Sequence, residues 1–511
     1  MEQTLTTIRP ELLSFSWTQI QALSPWIWTL GGALAMMLAA VLFRSSKWIV
    51  PLLLAVSVAG ASWSCTKLIE GADLTLFNQM MVVDKFTLVF VILFAVSALV
   101  TTMMSMGYLD REGIHHPEYY ILMLFSVIGM MSMVAALDLI VIFLALELMS
   151  ISVYVLVGFR RADRRSNEAA VKYFVLGGAA SAVFLYGAAL IYGATGSMGL
   201  PGIIQAVRAG QGSESMLFVL GAALVIFGFL FKVASFPFHM WMPDVYEGAP
   251  VPITGFMTTG IKAASFAAFV RVLSGLGYGQ GLAETVQRHL HDMLWVSAAL
   301  TMIVGNVIAL TQTNLKRMLA YSSIAHTGYL LVGVLSGPGS ESGFGPIYLY
   351  LLSYTVMNLG AFAILSALAK RGDAGVNLHD MAGLSKSHPF LAFGMAVFLF
   401  SMAGIPPTAG FAAKYLLFSS AVQAGEIAIT VIAVLCSAIS VYYYLRVLVY
   451  MYMREPAASA GSPGRSWMAS AVVLAMILLT LQIGILPSRV IETARAVSKM
   501  AMAQAGSGVA R

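Results

Sequence analysis

Apolar runs long enough to cross a bilayer follow one another along most of this chain. A membrane helix needs about 20 mostly apolar residues to cross a hydrocarbon core of about 30 Å. With that length as a ruler we predict fourteen spans, at 26–43, 47–65, 85–107, 118–136, 138–159, 167–193, 216–236, 250–274, 293–312, 319–336, 346–369, 389–420, 425–453 and 466–486. The pattern predicts an all-α polytopic membrane protein with about 14 transmembrane helices.

Composition agrees with this assignment. Of 511 residues, 59% are hydrophobic and only 10% are charged, and the mean hydropathy is +0.85. The net charge of +6 comes from Lys and Arg spread through the loops, so we interpret it as topogenic and expect no nucleic-acid partner. Cys65 and Cys436 lie in or next to apolar segments without a CxxC spacing, which excludes an iron–sulfur cluster held by this chain alone.

The basic residues predict the orientation of the spans. Loops after odd-numbered spans carry most of them, namely Arg44, Lys47, Arg111, Arg160, Arg161, Arg164, Arg165, Lys316, Arg317, Lys370, Arg371, Lys386, Arg454 and Arg465. Loops after even-numbered spans carry Lys67, Arg208, Arg271 and Arg288. Odd loops are therefore predicted to face the cytoplasm, and we expect a multi-pass protein of a bacterial cytoplasmic (inner) membrane.

Four charged residues lie within the apolar spans, where each costs roughly 3 kcal/mol on insertion scales. They are Glu147, Lys232, Lys262 and Lys414, and we interpret them as candidates for proton transfer. The alternative is that each extends to the interface or closes a structural ion pair. Glu147 and Lys262 have long apolar or small flanks, which makes extension to the interface difficult. Asp138 starts its span and is predicted to cap a helix N-terminus.

Two of the lysines lie beside prolines. Pro237 follows Lys232 by five residues, and the pair Pro406 and Pro407 precedes Lys414 by seven. Proline interrupts a helix, and non-helical backbone at membrane depth needs protein or water to satisfy it. The broken spans are the seventh and the twelfth, which predicts two inverted five-helix repeats, spans 4–8 and 9–13, around an ion pathway. A plain proline kink is the alternative.

This arrangement divides the chain into four parts: spans 1–3 at 1–117, a first repeat at 118–274, a second repeat at 275–453, and the last span with a short tail at 454–511. His326 lies in span ten, the repeat mate of the span that carries Glu147. It is a candidate proton relay, or else a hydrogen-bonded core residue. We attribute Tyr442, Tyr443 and Tyr444 to an aromatic belt at the inner interface.

Five motifs carry a resemblance to a known family. They are LELMSISVYVLVGFRR, RRSNEAAVKYFVLG, FKVASFPFHMWMPDVYEGAP, TQTNLKRMLAYSSIAHTGYLLVG and AGIPPTAGFAAKYLLF. In this order they resemble the antiporter-like membrane subunits of respiratory complex I. Within that family, WMPDVYEGAP followed by a lysine in span eight is similar to the N-type subunit.

The resemblance implies a proton-translocating subunit of NADH:quinone oxidoreductase, a translocase, without redox chemistry in this chain. It implies that Glu147 and Lys232 form an ion pair in the first half, that Lys262 is the central relay, and that Lys414 exchanges protons with the far side. His326 is a candidate addition to this path.

The resemblance also implies the partners. NADH, FMN, iron–sulfur clusters and quinone are expected in partner subunits, since no GxGxxG after a strand and no P-loop occurs here. Expected neighbours are the L-, M-, K-, J-, A- and H-type membrane subunits and, through them, the peripheral redox arm, together with the lipid bilayer. Two alternatives remain open: a subunit of a cation/proton antiporter complex, and a structural membrane subunit that does not conduct.

Overall fold

The fold is known from a computed structural model that describes residues 16–494 except 44–46, 72, 211–214, 280, 456–466 and 489. The predicted basic loop residues Arg44 and Arg465, and most of the predicted tail, lie outside the described residues. The α-helices are α1 (Trp17–Ala22), α2 (Ser24–Leu42), α3 (Ile49–Leu68), α4 (Lys85–Glu112), α5 (Pro117–Ala135), α6 (Leu139–Val157), α7 (Arg164–Thr195), α8 (Leu200–Arg208), α9 (Met216–Lys232), α10 (Trp241–Gly248), α11 (Val251–Phe256), α12 (Lys262–Gly275), α13 (Glu284–Ala309), α14 (Leu315–Ser336), α15 (Gly345–Leu368), α16 (Leu384–Ser387), α17 (Pro389–Ala403), α18 (Ala409–Gln423), α19 (Ile427–Met453) and α20 (Trp467–Ile485).

Most of the described chain is α-helix. Strands β1 (Leu74–Leu76) and β2 (Met81–Val83) pair antiparallel in a hairpin before α4. A π-helical turn, Met257–Ile261, joins α11 to α12, and 3₁₀ turns lie at Gly337–Gly339, Arg371–Asp373 and Leu378–Met381. The prediction of an all-α polytopic fold is confirmed.

Twelve helical stretches of the described chain are long and apolar enough to cross a membrane, α11 to α12 counting as one. The other two predicted spans are the seventh and the twelfth. Their apolar helices, α9 and α17, are shorter because each ends at the predicted break. All fourteen predicted spans therefore coincide with helices, and both predicted interruptions fall where helices end.

Side chains at the helix starts explain several boundaries. Asp138 accepts hydrogen bonds from the backbone N–H groups of Ile140 and Val141 at the start of α6, as predicted. Asp84 accepts from Thr87 N–H at the start of α4. Arg271, which we counted among the outer loop residues, instead lies within α12, where its guanidinium donates to both carboxylate oxygens of Asp84 at 3.1 Å.

The helices divide into central and peripheral sets. The most apolar windows of the α11–α12 stretch, of α14 and of α15 are 100%, 94% and 89% buried within the chain, whereas those of α2 and α7 are only 33% buried. Peripheral helices thus turn apolar faces outward, as expected for contact with lipid or other membrane subunits. Lys262 and His326 lie on central helices.

Candidate functional site

The first break lies between α9 and α10, and the second half of the chain satisfies its backbone. The N–H of Phe236 donates to Thr301 Oγ1 at 2.8 Å, and Ser297 Oγ donates to the Phe236 carbonyl at 2.9 Å. Both hydroxyls belong to α13. Backbone polar groups freed by a break must find partners at membrane depth, so the position of α13 determines whether this break can be accommodated.

Lys232 is the last residue of α9, immediately before this break. Its ammonium donates to Ser150 Oγ at 2.7 Å and to Tyr154 Oη at 3.3 Å, both on α6. The ammonium also lies 5.6 Å and 5.9 Å from the ring centroids of Tyr154 and Tyr173. A buried cation is thus held by hydroxyls and by aromatic faces.

Glu147 and Lys232 do not lie in direct salt-bridge contact, although the Glu147 carboxylate interacts electrostatically with the lysine. Glu147 lies one helical turn before Ser150 on α6, so the Ser150 hydroxyl is the nearer partner for the lysine. Glu147 Oε1 is buried without a hydrogen-bond partner among the described residues. Its helical neighbours Leu144 and Leu148 are 60% and 38% exposed, which places the carboxylate beside an outward-facing surface of the chain.

Lys262 links the first break to a central helix. Its ammonium donates to the Ser323 carbonyl at 2.6 Å, to Ser323 Oγ at 2.5 Å and to Thr327 Oγ1 at 3.0 Å. Thr327 Oγ1 in turn donates to the carbonyl of Val233 at 2.8 Å, the residue that follows Lys232. The π-helical turn directly before Lys262 belongs to a class of distortion frequent at functional sites.

The second break lies between α17 and α18, and Lys414 itself satisfies part of it. Its ammonium donates to the carbonyls of Met402 and Ala403 at 2.9 and 3.1 Å, and to Ser437 Oγ at 2.8 Å. The last carbonyls of a helix lack partners within it and carry partial negative charge. Lys414 therefore caps the C-terminus of α17 from the helix after the break.

His326 is buried on α14, with both ring nitrogens hydrogen-bonded. Nδ1 lies 2.6 Å from Tyr350 Oη, and Nε2 lies 3.3 Å from Tyr444 Oη. The Tyr444 hydroxyl also forms a hydrogen bond with Ser322 Oγ. The imidazole thus stands in a network of hydroxyls, each of which can donate and accept.

Two tyrosine rings lie near both His326 and one of its neighbouring lysines. The imidazole centroid is 4.8 Å from the Tyr354 ring and 5.6 Å from the Tyr329 ring. The ammonium of Lys262 lies 5.3 Å from the Tyr354 centroid, and that of Lys414 lies 5.3 Å from the Tyr329 centroid. His326 therefore shares one neighbouring tyrosine ring with Lys262 and another with Lys414.

The aromatic-belt interpretation is wrong for two of its three tyrosines. Tyr443 and Tyr444 are 0% exposed, whereas Tyr442 is 62% exposed. The Tyr443 hydroxyl donates to Asn306 Oδ1 at 3.1 Å, and Asn306 Nδ2 donates to Tyr329 Oη at 3.2 Å. These uncharged residues belong to the polar network around His326, which sequence reasoning missed.

The site offers proton donors and acceptors rather than ligands for a metal. The described residues contain no group of three or more His, Cys, Asp or Glu side chains suited to a metal ion, and Cys65 and Cys436 are free and buried. Lysines and a histidine joined by hydroxyls can hold or pass protons.

Comparisons with known proteins agree with this geometry. The profile of the family described as "NADH:quinone oxidoreductase/Mrp antiporter, TM" matches residues 136–440, a stretch that contains Glu147, Lys232, Lys262, His326 and Lys414. NADH-quinone oxidoreductase subunit N of Trichlorobacter lovleyi is 47% identical over 435 residues, covering 84% of this chain and 87% of that protein.

Solved structures give the same result. A chain of respiratory complex I from Thermus thermophilus superposes with a TM-score of 0.77 at 35% identity, covering 92% of this chain and 98% of that one. A chain of the Mrp complex from a Dietzia species superposes with a TM-score of 0.82 at 20% identity, covering 96% of this chain and 100% of that one, and this likeness concerns the fold alone. The resemblance predicted from the five motifs is confirmed.

Proposed function

Because this chain belongs to the NADH:quinone oxidoreductase/Mrp antiporter membrane family, we propose that it is the N-type, proton-translocating membrane subunit of a complex-I-type NADH:quinone oxidoreductase. One observation supports this function above the others. The ammonium of Lys262 is buried at membrane depth with only hydroxyl and carbonyl hydrogen-bond partners in the described chain. A lysine without a carboxylate partner in such a site is costly for structure alone, which favours a functional role.

We assign each site residue a step in proton transfer from its contacts. Lys232 accepts a proton on the first half of the path, next to the break between α9 and α10. Lys262 takes it next, with water carrying the proton between the two lysines, and Thr327 holds the Lys262 ammonium beside the first break through its bond to the Val233 carbonyl. His326 relays it to Lys414, which exchanges it with the outer face.

Glu147 is the acid of the first half of the path and lies on the side of α6 that we propose meets a neighbouring membrane subunit. It lies at the middle of α6, beside exposed leucines, with one carboxylate oxygen unpartnered among the described residues. A charge at bilayer depth costs roughly 3 kcal/mol on insertion scales, and a donor from a partner would offset this. We propose partners of the L-, M-, K-, J-, A- and H-type and, through them, the redox arm with NADH, FMN, iron–sulfur clusters and quinone.

The two breaks also support a division of the chain into four parts. We propose inverted repeats at 118–274 and 275–453, each containing one broken span, between an N-terminal part at 1–117 and a last span with a tail at 454–511. The two breaks are their most specific shared feature. The protein is a multi-pass protein of a bacterial inner membrane.

The test is proton translocation by the assembled complex in proteoliposomes. We expect Lys262→Ala and Glu147→Ala each to reduce proton translocation strongly while the complex still assembles. Lys47→Ala is the matched control, because Lys47 is an exposed lysine paired with Asp110. Normal translocation in both site variants would contradict the proposed function and would favour a non-conducting structural subunit.

A cation/proton antiporter subunit is the second candidate, because the Mrp complex chain shares the fold. Purification from native membranes separates the two candidates. Copurification with quinone-reducing subunits supports the N-type assignment, and copurification with antiporter subunits alone would contradict it.

A further inference from the structure

A stripe of polar residues runs along the buried face of α19, and most of its members have no role in the proton path proposed above. Its members are Glu426, just before the helix, then Thr430, Ser437, Ser440 and Tyr444. Steps of three, four or seven residues keep side chains on one face of a helix. Thr430, Ser440 and Tyr444 are 6%, 2% and 0% exposed, so this face is the one packed inside the protein.

The inner part of the stripe contacts His326 and Lys414. The Tyr444 hydroxyl lies 3.3 Å from His326 Nε2, and Ser437 Oγ accepts from the Lys414 ammonium at 2.8 Å. Between them, Ser440 Oγ donates to the carbonyl of Ser437 at 2.6 Å. The stripe therefore contacts both the relay and the terminal lysine from one helix.

The outer end of the stripe is a contact between Glu426 and a histidine of α13. Glu426 Oε1 lies 2.7 Å from His291 Nε2 on α13, with side chains that are 18% and 30% exposed. The other ring nitrogen of His291 lies 3.7 Å from Asp292 Oδ1, which is 68% exposed. By the asymmetry of the basic loops, the turn before α19 is on the side away from the cytoplasm. The pair thus stands half-open to the outer solvent.

A buried hydroxyl points to the same place. Tyr278, in the loop after α12, is 2% exposed, and its hydroxyl has no hydrogen-bond partner in the described part of the chain. Burial and the negative charge of Glu426 raise the pKa of Tyr278. A buried donor without a partner costs about 1–3 kcal/mol, and a water at Glu426 would satisfy it.

We propose that Glu426 and His291, with Tyr278 beside them, form the group that releases protons from Lys414 to the outer face. The inference rests on the proposed function and names residues that it leaves unassigned. The proton leaves the Lys414 ammonium, which becomes an amine, and reaches the Glu426 carboxylate, which becomes a carboxylic acid. Glu426 then passes it to the His291 imidazole or to outer water and returns to the carboxylate.

The path along α19 has one interval without a hydroxyl. Between Ser437 and Thr430 the same face carries Ala433, and seven residues of helix span about 10 Å. Proton passage there needs water. From Thr430 onward the line is polar again, since Thr430 Oγ1 donates to the Glu426 carbonyl at 2.6 Å.

The experiment uses the assembled complex in proteoliposomes with Glu426→Gln, Glu426→Asp and His291→Gln. We expect Glu426→Gln to lower proton translocation to about a hundredth or less, the scale of losing one positioned proton-transfer group, and Glu426→Asp to retain most of it. Glu284→Gln is the matched control and is expected to be unchanged, because Glu284 is an acid at the same end of α13 in an exposed pair with Arg288 at 2.8 Å.

The pH dependence of translocation distinguishes a proton-transfer role of Glu426 and His291 from a merely structural one. We expect His291→Gln to change the dependence of translocation on outer pH, because an imidazole can take up and release a proton and the glutamine amide cannot. Normal translocation in Glu426→Gln would overturn the proposal, and so would an unchanged pH profile in His291→Gln. If Glu426→Gln does not assemble, the His291→Gln profile decides. A failure of the proposed function itself would be recognised by a different result, because Lys262→Ala would then also translocate protons normally.

Discussion

Each of the two breaks lies beside a buried lysine, but the two lysines make different contacts. Lys232 lies before its break and donates to side-chain hydroxyls of another helix, while α13 satisfies the break's backbone. Lys414 lies after its break and donates to the carbonyls of Met402 and Ala403. One lysine is independent of the break beside it, whereas the other is part of what holds its break together.

This difference bears on how each lysine can act. A cation held by hydroxyls can leave or lose its proton while its partners find other bonds, since Ser150 Oγ already donates to the Leu146 carbonyl at 2.5 Å. A cation that caps a helix leaves two buried carbonyls behind when it moves. Proton release by Lys414 is therefore expected to be coupled to rearrangement of the second break.

The largest predicted effect separates the two lysines by stability. Lys414→Met leaves two carbonyls unpaired, and each such group costs about 1–3 kcal/mol, so we expect a loss of about 2–6 kcal/mol. Lys232→Met leaves hydroxyls that keep their own partners, and we expect a change within about 1 kcal/mol. Both variants should lose proton translocation. Melting of the purified complex measures the difference, and equal melting temperatures would remove the contrast between the breaks.

A glycine at the second break gives a smaller effect. Gly404 has φ of +88°, and an added Cβ would lie 3.0 Å from Lys414 Cδ. Gly404→Ala should therefore cost about 1–3 kcal/mol of backbone strain and displace the lysine as well. Gly196→Ala is the control, with φ of +72° and open space around it.

The readout for the glycine pair is melting of the complex together with proton translocation. We expect both alanine variants to lower the melting temperature, and only Gly404→Ala to lower translocation. Equal translocation in the two variants would show that Lys414 tolerates displacement, against the account of the second break.

The smallest predicted effect concerns the helix after the first break. Burial by itself raises the pKa of Asp244 on α10, but hydrogen bonds from Lys172 and Arg317 outweigh it and hold the pKa below its ordinary 3.8. A lowered carboxyl pKa stabilises the fold above that ordinary value, and the contribution is lost as pH falls through the lowered pKa. Asp244→Asn should therefore lower the melting temperature slightly at pH 7, and the difference from the unmodified chain should shrink below about pH 3.8. A difference that stays constant with pH would contradict this ion-pair anchor.

Much of the fold and the charged part of the site were predictable from the sequence. Apolar length located the spans, and prolines located both breaks, because each signal reflects a strong constraint of the bilayer. Glu147, Lys232, Lys262 and Lys414 were found because a charge within an apolar run is costly.

The contacts around those charges were not predictable. Glu147 acts on Lys232 only at longer range, because Ser150 on the same helix is the direct partner of the ammonium, a detail of rotamer and packing. Tyr444 and Ser437 were missed because hydroxyls are common in membrane helices and give no charge signal. Their spacing from Glu426 along one helix face was the signal available, and it is visible only when the helix face is traced.

The central claim is that Lys262 joins the first break to the rest of the path through Thr327. Thr327 Oγ1 accepts from the Lys262 ammonium at 3.0 Å and donates to the Val233 carbonyl at 2.8 Å. Valine has nearly the shape of threonine without the hydroxyl, and serine keeps the hydroxyl. The most direct measurement is proton translocation per NADH oxidised by the reconstituted complex carrying Thr327→Val or Thr327→Ser. The account predicts a lowered ratio for valine and a preserved ratio for serine, and an unchanged ratio for valine would contradict it.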